Sequence, residues 1–415
     1  MAFLFKIIKS ELIRGSFVLL IFFNSFNFLN YLFQFLMARM LEVSDYGVLA
    51  ALMGIIYIFT IPNEAIQLIA SRYATEFCEE NKIRKIKTLI KYLSKSFFKV
   101  ALILFLIFIP LSFLTSYFLR IKLSLILLTN CLIFFVFVLP INRGILQGLK
   151  SFKKLGILMV IESLIKIIFA VFLVYLGLRV YGAIFGILAG AFFSLCLSFV
   201  FLKEIFKTKE KEGEKVGPIK SYSLNTFLLI AMVWIVLSLD VIIVKHFFSD
   251  EIAGIYAVAS LLGKAIFFAT NPIAKAMFPI VSEKKANKKD ALLKAVFLIF
   301  LISIPAILLF VFTPKLIILI LFGKKYFSGY NLLIFTGISY TFLSISNLLL
   351  YFLLSLKRKL KLIFIFPIIE VFLLILFSST IFNYVFGLLI SQAIFLVYLC
   401  FAFKNEKDKY NYSST

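Results

Sequence analysis

The sequence predicts an all-α integral membrane protein, with twelve transmembrane helices arranged as two pseudo-symmetric six-helix bundles. Three observations carry that expectation: an apolar composition, a one-sided distribution of basic residues, and a junction near residue 47 that returns near residue 254. Of 415 residues, 63% are hydrophobic, 53 are Phe and only 15% are charged, and the mean hydropathy is +1.07. Soluble domains carry about a quarter charged residues. A bilayer core of about 30 Å needs roughly 20 apolar residues per helix.

At that length the spans run near residues 17–37, 47–71, 97–118, 123–142, 155–176 and 181–202, then 222–247, 252–280, 291–313, 331–355, 362–380 and 382–403. The first, Phe17 to Met37, is too long for a secretory h-region and carries Asn24, Asn27, Asn30 and Gln34, so it is expected to stay on the chain. The second opens at Gly47 and holds Pro62 and Glu64; the fifth holds Glu162 and Lys166. In the sixth, Gly182, Gly186 and Gly190 recur every fourth residue, a flat face for close helix packing. The seventh contains Asp240, the eighth Lys264 and Lys275, the tenth Thr336, Tyr340, Ser344, Asn347 and Tyr351, and the eleventh Glu370. Pro62, Pro110, Pro140, Pro272, Pro305 and Pro367 interrupt spans, each expected as a static kink rather than a hinge.

The net charge of +24 would suit a phosphate polymer, but its placement argues against nucleic acid. The 44 Lys and Arg concentrate in the loops on the N-terminal side, such as "KSFKK", "SEKKANKK" and "KRKLK", in excess by roughly four to one over the opposite side. By the positive-inside rule both termini are expected on the cytoplasmic face of the cell membrane, plasma or inner. Four cysteines, Cys78, Cys131, Cys196 and Cys400, show no C-x-x-C spacing, and one histidine, His246, offers no His cluster; no metal and no cofactor is expected.

The charged stretch Lys203–Lys220 divides the spans six and six, predicting an N-terminal bundle over 1–203, a cytoplasmic linker over 204–220 and a C-terminal bundle over 221–415. Gly47 and Gly254 each open the second span of their half, Glu76 and Glu283 close it, and Glu162 and Glu370 sit at matching depth in the fifth span of each. An even number of spans per half keeps both copies in one orientation, a parallel repeat of the kind alternating-access transporters use.

Polar side chains facing lipid cost free energy, so rows of them should face protein or water. The amides of the first span fall within about 120° of arc and the hydroxyls and amide of the tenth within about 80°, at 100° per residue. Such groups both donate and accept hydrogen bonds, as a sugar requires; the plainer reading is interhelical bonding. Charges in mid-span cost roughly 2.5–3.5 kcal/mol each, which makes Glu64, Glu162, Lys166, Asp240, Lys264 and Glu370 candidates, with Glu162 and Lys166 also placed to neutralise one another at i, i+4. Lys275, near a span end, can snorkel. No G-x-x-x-x-G-K-[ST] is present and no outer loop is long enough for a catalytic domain, so an enzyme is not expected.

The junction "LEVSDYGVLAALMGI", the block from "RGILQGLKSFKK" to "YGAIFGILAG", and "LDVIIVKHFFSDEIAGIYAVASLLGK" resemble the polysaccharide-export flippases of the MOP superfamily, the Wzx type. The resemblance spans almost the whole chain through loose patterns of Gly, Tyr and acidic residues. It implies a V-shaped MOP/MATE-like fold, working as a monomer, that carries a polyprenyl-pyrophosphate-linked oligosaccharide from the cytoplasmic to the outer leaflet by alternating access. It also implies a cationic cavity for the pyrophosphate, to which Lys264, Lys166, Arg143 and Arg72 would contribute, with Asn24, Asn27, Asn30, Gln34, Tyr340, Ser344 and Asn347 on the sugar. The alternative is a cation-coupled multidrug antiporter of the MATE type, with Asp240, Glu64, Glu162 or Glu370 as the coupling carboxylate. A major-facilitator transporter shares the span number, but the second-to-third loop "ATEFCEENKIRKIK" lacks that family's Gly/Asp/Arg motif.

Overall fold

The computed structural model describes residues 11–80, 82–207, 224–282, 287–356 and 364–411. Glu283, the basic cluster Lys357, Arg358 and Lys359, and residues 208–220 of the expected linker lie outside them. In hydrocarbon no water satisfies backbone polar groups, so each span must bond its own backbone, and these apolar runs do so as helices. In chain order they are α1 (Glu11–Met40), α2 (Val43–Phe59), α3 (Ile61–Glu79), α4 (Ile83–Leu119), α5 (Leu123–Asn130) and α6 (Leu132–Gly148). Next come α7 (Phe152–Leu173), α8 (Arg179–Phe201), the short α9 (Lys203–Lys207), α10 (Leu224–Phe247) and α11 (Asp250–Ser282). The last are α12 (Lys288–Phe312), α13 (Pro314–Leu321), α14 (Leu333–Ser355), α15 (Ile365–Leu376) and α16 (Ile381–Asn411).

Among the described residues, eight stretches are long and apolar enough to cross a bilayer, and the chain is a multi-pass membrane protein. The described parts of the twelve expected spans fall on helices, the eleventh only in part, on the 12-residue Ile365–Leu376. Two are broken where a single helix was expected. The second divides at Thr60, because Pro62 has no N–H to give and its ring would strike the carbonyl four residues back; it sits instead in the first turn of α3, where no such bond is needed. The fourth divides at Cys131 into α5 and α6. Pro110, Pro140 and Pro305 are carried inside helices. Spans five and six join through a π turn, Val174–Leu178, where Gly177 takes a φ of 88° that an L side chain rarely adopts.

The chain forms two compact units. One comprises residues up to Glu42 together with Phe59–Phe227, the other Val43–Ile58 with everything from Leu228 onward. Helix α2 therefore belongs with the second unit, although sequence order would keep it in the first.

In the first unit α8 packs on α7 and α3 on α6, with α1 also against α7. The glycine row makes the first of these possible. A Cβ on Gly186 would lie 2.7 Å from the backbone nitrogen of Ala170, and one on Gly190 the same distance from the carbonyl oxygen of Glu162. In the second unit α11, α12 and α14 pack on one another, and α14 also meets α16. Here the repeated junctions meet. A Cβ on Gly47 would stand 2.5 Å from the carbonyl oxygen of Asp250 and 2.7 Å from the nitrogen of Gly254, and one on Gly254 would collide with the carbonyl of Val43. The recurrence of glycine at this junction is thus a packing requirement, because each copy is the surface on which the other rests.

Candidate functional site

Each unit buries a cluster of charge, and the two clusters are built differently. That of the first unit gathers on α1, α6 and α7. Gly144 and Gly148 let α6 lie close on α3, and Gln67 Nε2 clamps the contact by donating to Gln147 Oε1 at 2.8 Å. The adjacent Arg143 is thereby held in the interior, its side chain 8% exposed. Its guanidinium donates through Nη2 to Glu162 of α7, while its Nε is buried with no hydrogen-bond partner among the described residues. One turn along α7, Lys166 donates to Asn30 Oδ1 of α1, and its ammonium lies 4.7 Å from the centre of the Phe33 ring. The carboxylate of Glu162 is within electrostatic reach of that ammonium.

The expected i, i+4 neutralisation of Lys166 by Glu162 is therefore replaced. Glu162 bonds Arg143, and Lys166 is met by an amide and an aromatic face, neither of which carries a charge. Two cations share one carboxylate. Glu162 is also the most open member, its side chain 19% exposed. The amide row of α1 runs from exposed Asn24 through half-buried Asn27 and Asn30 to buried Gln34. Arg72 is exposed and Glu64 half-buried, both on α3, and neither enters the contacts described for this cluster.

The cluster of the second unit is sealed. Asp240, on α10, is 0% exposed and accepts four hydrogen bonds. Oδ1 takes Lys264 Nζ at 2.9 Å; Oδ2 takes Tyr256 at 2.9 Å, Ser260 at 2.6 Å and Tyr340 at 2.6 Å. Tyr384 of α16 donates to the Asp240 backbone carbonyl at 2.6 Å. Tyr256, Ser260 and Lys264 are four residues apart along α11, so they share one face of the helix. Glu370, also fully buried, accepts from Gln392 Nε2 at 3.0 Å, and its Oε2 has no hydrogen-bond partner among the described residues.

Lys264, expected beside a phosphate, is thus already paired with a carboxylate. The row on α14 is likewise occupied by interhelical bonds. Thr336 donates to Ala259 O at 3.1 Å, Ser344 accepts from Thr270 at 2.8 Å and Asn347 donates to Asn271 at 3.0 Å. Tyr340, Ser344 and Asn347 are buried, and in this conformation their polar atoms join α14 to α10 and α11. Lys275 is exposed. Sequence reasoning missed Tyr256, Ser260, Tyr384 and Gln392. The first two carried a readable signal, polar groups at i, i+4 and i+8 ending on a lysine; the others, Tyr384 and Gln392, lie beside Asn383 and Ser391 in an otherwise apolar stretch of α16. It also missed Lys245, fully buried and paired with Asp250 at 2.6 Å across the turn between α10 and α11.

Comparison with known proteins bears on the family and the fold. The family described as Polysaccharide biosynthesis protein matches residues 36–329. An uncharacterized membrane protein of Methanocaldococcus jannaschii is 29% identical over 167 residues, which are 36% of this chain and 39% of that protein's length. Among solved structures, the lipid II flippase MurJ in an inward closed conformation superposes with a TM-score of 0.68 at 18% identity, covering 94% of this chain and 87% of that one. An inward-facing multidrug resistance MATE family transporter of the MOP superfamily also gives 0.68, at 12% identity, covering 91% and 95%. The fold is shared with MOP superfamily transporters.

Proposed function

The chain belongs to the polysaccharide biosynthesis protein family, and from that premise we propose that it is a flippase, moving a polyprenyl-pyrophosphate-linked oligosaccharide from the cytoplasmic to the outer leaflet by alternating access. The observation that carries this reading is the unbalanced charge of the first unit, where Arg143 and Lys166 share a single carboxylate in a buried setting. A guanidinium and an ammonium together suit a pyrophosphate, one by forked hydrogen bonds and the other as a point charge. The amides of Asn24, Asn27, Asn30 and Gln34 run along α1 from the exposed end toward that cluster, and offer the paired donors and acceptors that sugar hydroxyls need.

Both termini lie on the cytoplasmic side of the cell membrane in this proposal, and the chain works as a monomer without nucleic acid, metal or cofactor. An anionic head group travelling outward moves down an inside-negative potential, worth about 2.3 kcal/mol per charge per 100 mV, so no nucleotide need be hydrolysed. Of the carboxylates that a MATE-type carrier could couple through, Asp240 is already held by Lys264 and three hydroxyls, which leaves Glu64, Glu162 and Glu370 to that alternative.

The test is reconstitution. In proteoliposomes carrying a fluorescent lipid-linked oligosaccharide, the wild-type chain brings the label to the opposite leaflet, where a quencher reaches it. The double variant Arg143→Gln, Lys166→Gln is expected to slow this at least tenfold. Transport at the wild-type rate by that variant would remove the site from the mechanism.

A further inference from the structure

Within that reading, on which the inference rests, we infer that Glu162 is an internal stand-in for the substrate's phosphate: it occupies Arg143 in the resting protein and is displaced when the pyrophosphate arrives. Three features lead there. A buried guanidinium without a counter-charge is strongly unfavourable, so Arg143 needs an anion within the protein, and Glu162 supplies it. The carboxylate nevertheless satisfies Arg143 only in part, since Nε is buried and without a hydrogen-bond partner among the described residues. A phosphate, with more acceptor oxygens than a carboxylate, can take the second donor of the guanidinium fork.

The third feature is exposure. At 19% against 8% for Arg143, Glu162 is the more exposed member of the pair, and so the one with more room to swing aside. Lys166, one turn away, has its direct contacts with a neutral amide and an aromatic ring and feels Glu162 only at a distance, so it turns toward the new charge without breaking a direct ion pair. Gly190 packs against the carbonyl of Glu162, which fixes the α7 backbone and leaves the exchange to side chains. The arrangement makes the site selective for anions that outcompete a carboxylate at a guanidinium, and it rejects monovalent acids.

The purified full-length chain in nanodiscs is titrated with inorganic pyrophosphate by calorimetry. Glu162→Gln, which removes the competing charge, is expected to bind at least tenfold tighter than wild type, and Glu162→Asp, which restores it, to return to near the wild-type affinity. Asn30→Asp, which gives Lys166 a carboxylate of its own, is expected to weaken binding at least tenfold and decides the matter if Glu162→Gln does not fold. Equal affinity of Glu162→Gln and wild type, or unaltered binding by Asn30→Asp, would overturn the stand-in. Farnesyl pyrophosphate in the same titration separates a lipid head group from a free anion: tighter binding of the prenyl ester is expected, and its failure to bind where the inorganic anion does is a refutation. The transport assay judges the flippase separately. Transport that depends on Arg143, together with indifference of pyrophosphate affinity to Glu162, discards the stand-in and keeps the flippase; absence of transport by the wild type discards the flippase itself.

Discussion

The charge clusters of the two units differ in how far their carboxylates are satisfied: Asp240 of the second is sealed and fully bonded, while Glu162 of the first is partly open and lies among two cations. In the second unit, Asp240 meets four side-chain donors from α11 and α14 and no part of it reaches the surface. In the first, Glu162 has one charged partner in contact, a second nearby and a fifth of its side chain exposed. A saturated buried network fixes one packing arrangement of the helices around it. An unsaturated one retains the capacity to bind something else. The hydroxyls placed on α11 and α14 are what bring Asp240 to saturation.

The sharpest way to break that contrast is to remove the cation of the sealed cluster. Lys264→Met leaves Asp240 buried without its ammonium, and stranding one member of a buried ion pair costs about 3–5 kcal/mol. We expect a large drop in thermal stability in detergent, with the double variant Asp240→Asn, Lys264→Met recovering most of it. Arg143→Gln, made in the partly open cluster, should cost much less stability while abolishing transport. If the two single variants lose equal stability, the division between a structural and a binding cluster fails.

The glycine junction gives a second, smaller effect. Gly254→Ala drives a methyl group into the carbonyl of Val43, and overpacking of this kind costs about 1–3 kcal/mol. The same change at Gly177, where no atom lies within 4 Å of the added Cβ, should disturb only the strained backbone of the π turn. Unfolding in denaturant compares them directly, and Gly254→Ala is expected to be the more damaging. A harmless Gly254→Ala would mean that α2 does not rest on α11 as described.

How much of this was readable in the sequence depends on the range of the interaction involved. Spans follow from the local cost of putting polar backbone and side chains in hydrocarbon, so the helical, membrane-spanning character of the apolar runs was legible from residue type, and eight stretches among the described residues are long enough to cross. The break at Thr60 had a visible cause in Pro62, but a proline reads equally well as a kink, and only the tertiary placement of α2 with the second unit distinguishes the two. Partners were the least legible. Asn30 and Lys166 are 136 positions apart and Asp240 and Lys264 are 24 apart, and in each case the register of separate helices decides the pairing. Local spacing suggested Glu162 with Lys166; the structure gave each a partner on another helix.

The smallest test concerns a single hydroxyl. Tyr384→Phe deletes the bond from α16 to the Asp240 backbone carbonyl and leaves the ring, which packs edge-on against Tyr256 at 5.3 Å and Phe248 at 5.6 Å. Interhelical hydrogen bonds in membranes average about 0.6 kcal/mol, so the expected loss is of that order. Because the carbonyl already serves the helical ladder of α10, losing the tyrosine does not strand it, and the Asp240 side chain keeps all four of its donors. A much larger loss, approaching that of Lys264→Met, would show that Tyr384 positions α10 for the whole cluster, and that the sealed site extends through α16 rather than ending at α14.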